Sequence, residues 1–480
     1  MNNRLNRKTK LLYGVAGIGD SALYSLMGNF ALFFFTTVAG IDPAVAGAIV
    51  AIGAVWDVVS GSFVGYISDK TKSSMGRRKP FLLAATFPLA VCCSLIFIVI
   101  DASQAVRYAY YIFMFIAFWT GYSVFFVPYT AWGAELTDNY EERTELRGIV
   151  YIFYSIGSAF GTALPPIIVD LLMQWGARVE TGWLSVGIFV GVISAAAIFI
   201  TGWTVHDPEH MAAADHTDNA ASADNEELAG SAENSASGGK GRFKGLSAAA
   251  DILRNYGQVL RFKPARLIVL TSVFYLISNS IMMADRMYFF TYNMELTAKE
   301  VSLIMLVMQI VSVLLVPPLI RINRVLDKRT LCIGGIGMSA ACLTIYGFIG
   351  VSSVPHLLLL FFIYGIGSIC YWQLIPSMLY DVCDADKLAN GTDRAGLIIS
   401  MQGLSESVFE AVGFQILGIL LHLTGFQTDA ARQSLETMQC IHVSFTFIPA
   451  FFALLALLMM VRYPITRTKH AEIIKNLQQK

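Results

Sequence analysis

Charge is what this sequence has least of. Only 14% of its 480 residues are Asp, Glu, Lys or Arg, 55% are hydrophobic, and the formal net charge is zero. A soluble chain of this length needs polar faces to solvate, so this scarcity argues against a water-soluble globular protein. The neutral balance gives no electrostatic footing for nucleic acid. No G-x-x-x-x-G-K-[ST] loop occurs, which argues against an ATP-driven pump. No constellation of nucleophile, acid and base suggests an enzyme, and His206, His210 and His216 fall in a polar insert as a chance cluster. Cysteines are few (seven), and most lie in apolar runs without paired or metal-ligand spacing. They predict small core residues, with no metal site and no bound cofactor. A cleavable signal is not expected either, because the basic Met1–Lys10 segment leads into a full apolar span without a small-residue cleavage site.

What remains is apolar length. Twelve stretches, near 11–37, 43–66, 81–100, 107–134, 148–173, 183–204, 265–290, 298–320, 330–350, 355–380, 395–424 and 440–462, are each long enough to cross a bilayer. Crossing ~30 Å of hydrocarbon takes about 20 apolar residues, and backbone amides in lipid must bond within their own helix. The sequence therefore predicts an all-α polytopic membrane protein of twelve transmembrane helices in two six-helix bundles. Its divisions are a first bundle over 1–205, a linker over 206–263, a second bundle over 264–463 and a tail over 464–480. The linker opens on an Ala/Ser/Asn/Asp/Glu tract from Ala212 to Gly239, read as disordered, and Phe243–Leu260 reads as an amphipathic surface helix.

Basic residues gather in the N-terminal segment (Arg4, Arg7, Lys8, Lys10), after the second span (Lys70, Lys72, Arg77, Arg78, Lys79), between the eighth and ninth (Arg321, Arg324, Lys328, Arg329) and in the tail. Alternate connections hold few. The positive-inside rule then predicts a multi-pass protein of the plasma (inner) membrane with both termini and the linker cytoplasmic.

A charge at the bilayer centre costs ~2.5–3.5 kcal/mol or more, so each intramembrane charge is a candidate site. Asp20 lies mid-way along the first span and Asp57 within the second. Glu406 and Glu410 sit one turn apart in the eleventh, on one helix face, where two adjacent carboxylates suit a proton carrier. Asp285 and Arg286, adjacent near the outer end of the seventh span, read as an interfacial pair. Core packing and the interfacial belt explain most of the many aromatic residues. A Trp such as Trp372 beside polar groups also suits a saccharide, whose CH face stacks on rings.

Six spans, a linker and six more is the layout of the major facilitator fold, with its substrate site between halves near the midplane. More specific motifs follow it. Trp56-Asp57, Gly65-x-x-x-Asp69 with Gly76-Arg77-Arg78-Lys79-Pro80, and Val127-Pro128-Tyr129-Thr130-Ala131-Trp132-Gly133-Ala134-Glu135-Leu136-Thr137 occur in the first half. Asp138-x-Tyr140-Glu141-Glu142-Arg143-Thr144 continues the last of these. Trp372, Asp381-Val382-x-Asp384, Gly391-Thr392-Asp393-Arg394-Ala395-Gly396 and Gln402 follow in the second half. Together these resemble the glycoside–pentoside–hexuronide:cation symporters, the melibiose permease group.

The resemblance implies import of a sugar by alternating access, driven by H⁺, Na⁺ or Li⁺, with a small-molecule sugar and membrane lipid as partners. It places Asp57 in the cation site, with Asp20, Glu406 and Glu410 as further coupling candidates. Asp20, Tyr122, Trp372 and Gln402 are the expected substrate residues, and Asp69, Arg77, Arg78, Glu135, Arg143, Asp381 and Arg394 form the expected cytoplasmic gate. Departures bear on mechanism. Gly61 and Phe126 stand where the family has further acids, which favours H⁺ over Na⁺ because hard cations need several oxygen ligands. Ser21 stands where the family has its sugar-binding Asp, with Asp20 one position earlier. The usual fifth-span Arg and eleventh-span Lys are replaced by Val150 or Tyr151 and by Ser407, which favours a neutral glycoside, oligosaccharide or pentoside over an anionic uronide. Two other readings are an amphipathic non-sugar cargo and a non-transporting receptor or scaffold.

Overall fold

A computed structural model describes residues 5–71, 73, 75–137, 140–205, 257, 259–391, 394–428, 430 and 432–479. Among the described residues, twelve helices are long and apolar enough to cross a membrane. We number them α1 (Arg7–Thr37), α2 (Pro43–Lys70), α3 (Lys79–Ile96), α4 (Gln104–Gly133), α5 (Glu145–Gln174), α6 (Val179–Thr204), α7 (Lys263–Asn293), α8 (Ala298–Asn323), α9 (Lys328–Ile349), α10 (Val354–Asn390), α11 (Leu397–Leu423) and α12 (Leu435–Val461). A thirteenth helix, α13 (Arg467–Gln479), follows the last span. The chain thus enters and leaves the bundle at one end, here the terminal end; the opposite end is the far end. The expected linker helix and tract lie almost wholly outside the described residues.

Local chemistry sets the helix boundaries. Asp42 caps α2 by accepting the amides of Ala44 and Val45, with Pro43 in the first turn, where its missing N–H is no loss. Thr297 and Glu300 form a capping box at the start of α8. Gly391, at φ +69°, closes α10 in a left-handed conformation that a side chain would strain. That closure lies well past the expected end near residue 380, so α10 carries Asp381, Asp384 and Asp386 on a continuous helix.

Packing decides which helices face lipid. In α1 and α7, 83% and 78% of the apolar window is buried, against 28% in α3. The two matching helices of the halves therefore occupy the centre, where both touch the opposite half. Large apolar side chains such as Phe87, Phe348 and Leu423 stay exposed on the outside, as a bilayer requires. Within the first half, α1 and α5 approach so closely that a Cβ on Gly157 would stand 2.2 Å from the carbonyl oxygen of Ile18. Membrane helices gain cohesion from such small-residue contact, because lipid supplies no hydrophobic drive between them.

Among the described residues, hydrogen bonds between the halves run from the middle of the bundle to the far end. Tyr24 donates to Glu410 at 2.8 Å, and Arg286 to Asn29 at 2.9 Å. Further out, Tyr288 donates to the carbonyl of Leu32 at 3.1 Å and pairs with Thr36 at 2.5 Å. At the rim, His422 meets Asp42 at 2.6 Å, and Gln415 donates to the carbonyl of Ala44 at 3.3 Å. A Cβ on Gly418 of α11 would stand 2.4 Å from the carbonyl oxygen of Pro43. The halves are closed together at the far end.

Candidate transport site

The intramembrane acids of the first half are each held by a hydroxyl from α4. Tyr122 donates to Asp20 Oδ1 at 2.6 Å, and Ser123 donates to Asp57 Oδ1 at 2.6 Å. Consecutive residues on a helix point in different directions, so Tyr122 and Ser123 reach α1 and α2 separately. Ser60, one turn beyond Asp57, pairs with the same Ser123 hydroxyl at 2.8 Å, and Trp56 donates to Thr120 at 2.8 Å. In the second half Gln402 donates to Ser272 at 2.7 Å and to Glu406 at 3.2 Å.

Two cavities lie between the halves and share one wall. The smaller, about 50 Å³, is lined by Tyr24, Met27, Val50, Ala54, Asp57, Phe115, Trp119, Ser407, Glu410 and Phe414. The larger, about 240 Å³, meets Ser25, Asn29, Tyr154, Ser158, Asn279, Arg286, Gln309 and Trp372 as well as Tyr24 and Glu410. Tyr24 and Glu410 appear in both, so their hydrogen bond across the halves is the partition between an acid-bearing pocket and a polar, aromatic one. Asp57, Glu410 and Trp372 are thus brought to the two cavities. Asp20, Tyr122, Gln402 and Glu406 line neither; they sit in polar packing behind the walls. Glu406 and Glu410 occupy one side of α11, yet the first bonds Gln402 within its own helix and the second Tyr24 of the opposite half.

Asp285 and Arg286 do not form the expected interfacial pair. Asp285 is fully buried and accepts from Ser444 at 2.8 Å, whereas Arg286 faces the larger cavity. Neighbours i and i+1 diverge by about 100° around a helix, so they cannot share a face. That geometry was available from the sequence and would have singled out Arg286. Tyr24, one turn from Asp20, carried a similar signal. Arg286 also gives the cavity a cation, at a different position from the replaced fifth-span Arg and eleventh-span Lys.

The expected gate residues form ion clusters at the terminal end. The buried Arg78 guanidinium lies 2.6 Å from Asp69 and 2.7 Å from Glu135, and donates to Ser68 at 2.6 Å. Burial works to weaken its hold on its proton, but bonds to Glu135 and Asp69 outweigh this and keep it above its ordinary value. Arg77 stands 3.8 Å from Glu135. In the second half Asp381 pairs with Lys328 at 2.9 Å, while Arg394 pairs with Asp386 at 2.5 Å, a residue the sequence reading missed. Its bond to Asp386 raises Arg394 above the usual guanidinium value. Each cluster stays inside one half. The Arg143 side chain lies outside the described residues.

The family profile described as MFS/sugar transport protein matches residues 12–237 and 227–467. The chain belongs to this family. As a member of the MFS sugar-transport family it is a multi-pass membrane transporter and not an enzyme. It is 26% identical to an uncharacterized symporter of Synechocystis, over 99% of this chain and 97% of that one. It is 23% identical to a glucuronide carrier protein homolog of Escherichia coli, covering 100% and 97%. It is also 22% identical to an isoprimeverose transporter of Lactiplantibacillus pentosus, covering 98% and 90%. Among solved structures, the inward-open xylose transporter XylE of E. coli superimposes with a TM-score of 0.63 at 12% identity, covering 98% of each chain. A structure from work on proton dependent oligopeptide transporters gives 0.66 at 14% identity, over 99% of this chain and 100% of that one. Carriers of sugars and of peptides share this frame, so the fold alone leaves the cargo open.

Proposed function

We propose that this protein imports a sugar together with a proton, by alternating access of its two halves around the cavities between them. The observation that carries the reading is the shared wall. Tyr24 of the first half and Glu410 of the second divide a pocket containing Asp57 from a larger one lined by hydroxyls, amides and Trp372. Occupancy of the small pocket is then felt at once by the group that borders the large one, which is what coupled transport demands. Met283, Met305 and Met308 also line the larger cavity, but its hydroxyls and amides outnumber them, which supports a polyhydroxylated cargo over an amphipathic one. The relatives named as a glucuronide carrier homolog and an isoprimeverose transporter support a sugar.

The small pocket's chemistry supports a proton as the coupling ion. Besides its two carboxylates it offers the Tyr24 and Ser407 hydroxyls amid Met27, Val50, Phe115 and Phe414. Each carboxylate already accepts from a hydroxyl, Ser123 on Asp57 and Tyr24 on Glu410, which leaves a shared oxygen cage for a hard cation poorly formed, whereas a proton needs one acceptor. Asp57 is its first acceptor in this reading, and the proton then passes toward the Glu410–Tyr24 wall as the sugar site fills. The basic loops at the terminal end support cytoplasmic termini in the plasma membrane. In that orientation the closed far end faces outward, and the form described is the one that releases cargo inward.

The test is sugar-driven alkalinisation of weakly buffered, de-energised cells, with and without Na⁺, repeated for Asp57→Asn. The expected result is a Na⁺-independent rise in external pH. The variant should lose accumulation against a gradient while retaining downhill exchange. Equal loss of both activities in a well-expressed variant would remove Asp57 from the coupling role.

A further inference from the structure

One charge inside a membrane span has no task in that reading. Arg286 projects from α7 between Asn29, Met305 and Phe361. Its Nη1 donates to Asn29 Oδ1 at 2.9 Å and lies 3.9 Å from the Met305 sulfur, and the guanidinium carbon stands 5.3 Å from the Phe361 ring centre. None of these partners is anionic, and the buried Nε has no hydrogen-bond partner. The adjacent Asp285 gives no compensation, since it faces Ser444. The carboxylate on the cavity wall, Glu410, is engaged by Tyr24. A part-buried guanidinium without a counter-ion inside a membrane span is costly to keep, and that cost makes it a functional candidate.

We propose that Arg286 is a specificity-determining residue that receives the carboxylate of an acidic sugar, so that a uronic acid or its glycoside is preferred over the matching neutral sugar. The inference rests on the transport reading above. Three features of the cavity fit it. The guanidinium fork presents several donors of fixed geometry, suited to a planar carboxylate. Asn279, Ser25, Ser158 and Tyr154 surround the same space with partners for ring hydroxyls. Trp372 lines it with a half-exposed indole on which the CH face of a sugar can rest. Asn29, which holds Arg286 from the opposite half, makes arrival of the carboxylate compete with a contact that joins the halves. Cargo binding would therefore loosen one bond of the closed far end.

The experiment is counterflow in proteoliposomes with methyl β-D-glucuronide and methyl β-D-glucoside, using the full chain, Arg286→Gln and Arg286→Lys. The wild-type protein is expected to favour the uronide. In Arg286→Gln the KM for the uronide should rise by roughly tenfold or more, equivalent to ~1.4 kcal/mol, with the glucoside little changed. Arg286→Lys keeps the charge without the fork, and should fall between the two; it also serves if the Gln variant does not fold. A wild-type protein that moves the glucoside and ignores the uronide would overturn the inference while leaving sugar transport intact. So would equal effects of Arg286→Gln on both compounds. Absence of counterflow for any sugar in a monodisperse, correctly reconstituted preparation would overturn the transport reading and this inference with it.

Discussion

The two ends of the bundle are held by opposite means. At the terminal end the strong contacts are ionic and stay within one half, with Arg78 tying α2 to the end of α4 and Arg394 tied to α10. At the far end the contacts cross between halves and consist mainly of neutral hydrogen bonds and the close backbone approach at Gly418. The difference fits the alternating access proposed above. An ion cluster withdrawn from water is costly to break, because each separated charge is left without its partner. It therefore suits a unit that stays whole. Neutral bonds and small-residue contacts can part and re-form without stranding a charge, so they suit a surface that opens. Among the described residues, the one acid–base contact that crosses between the halves at the far rim, Asp42 with His422, agrees, since the histidine side chain is 53% exposed and such pairs contribute little.

Three substitutions would break or sharpen this contrast. Gly418→Val should act most strongly, because its Cβ would meet the backbone of Pro43, which cannot yield as a side chain can. Overpacking costs ~1–3 kcal/mol, a shift of roughly 5–150-fold toward a far-end-open form. Labelling of Thr36→Cys by an impermeant maleimide should rise accordingly, and unchanged labelling would mean that the far end is closed by something else. Arg78→Ala should come next, lowering stability by ~1–3 kcal/mol, below a fully buried pair because Asp69 is largely exposed. The readout is the apparent Tm in detergent; an unaltered Tm would deny the ion cluster its role in holding the half together. His422→Ala should matter least, at most ~1 kcal/mol or about fivefold in transport. If it exceeded Gly418→Val in transport, the far end would be an electrostatic closure after all.

Much of this arrangement is legible before any coordinates. Twelve spans follow from apolar length, and Asp57 and Glu410 stand out because acids in hydrocarbon need a reason. What the one-dimensional reading misses depends on direction and reach. Asp285 and Arg286 look like a self-neutralising pair until their angular separation sends one into α12 and the other into the cavity. Asp386 escapes notice because apolar character fades near residue 380 while the helix continues to Asn390, so the partner of Arg394 looks like part of a loop. Asp20 shows the reverse case. It is conspicuous as a charge in a span, yet Tyr122 alone meets it behind the cavity wall. The Tyr24–Glu410 contact joins residues 386 positions apart, and no local pattern encodes it.

The last helix has a mechanical consequence. The amide of Arg467 bonds Asp327 at 3.1 Å, its guanidinium bonds the carbonyl of Asn323 at 3.2 Å, and His470 meets Asp384 at 3.0 Å. α13 is thereby strapped to the ends of α8 and α10 and to the turn before α9, all in one half. It is a handle rather than a streamer: a probe fixed to it would report any rotation of the second half directly.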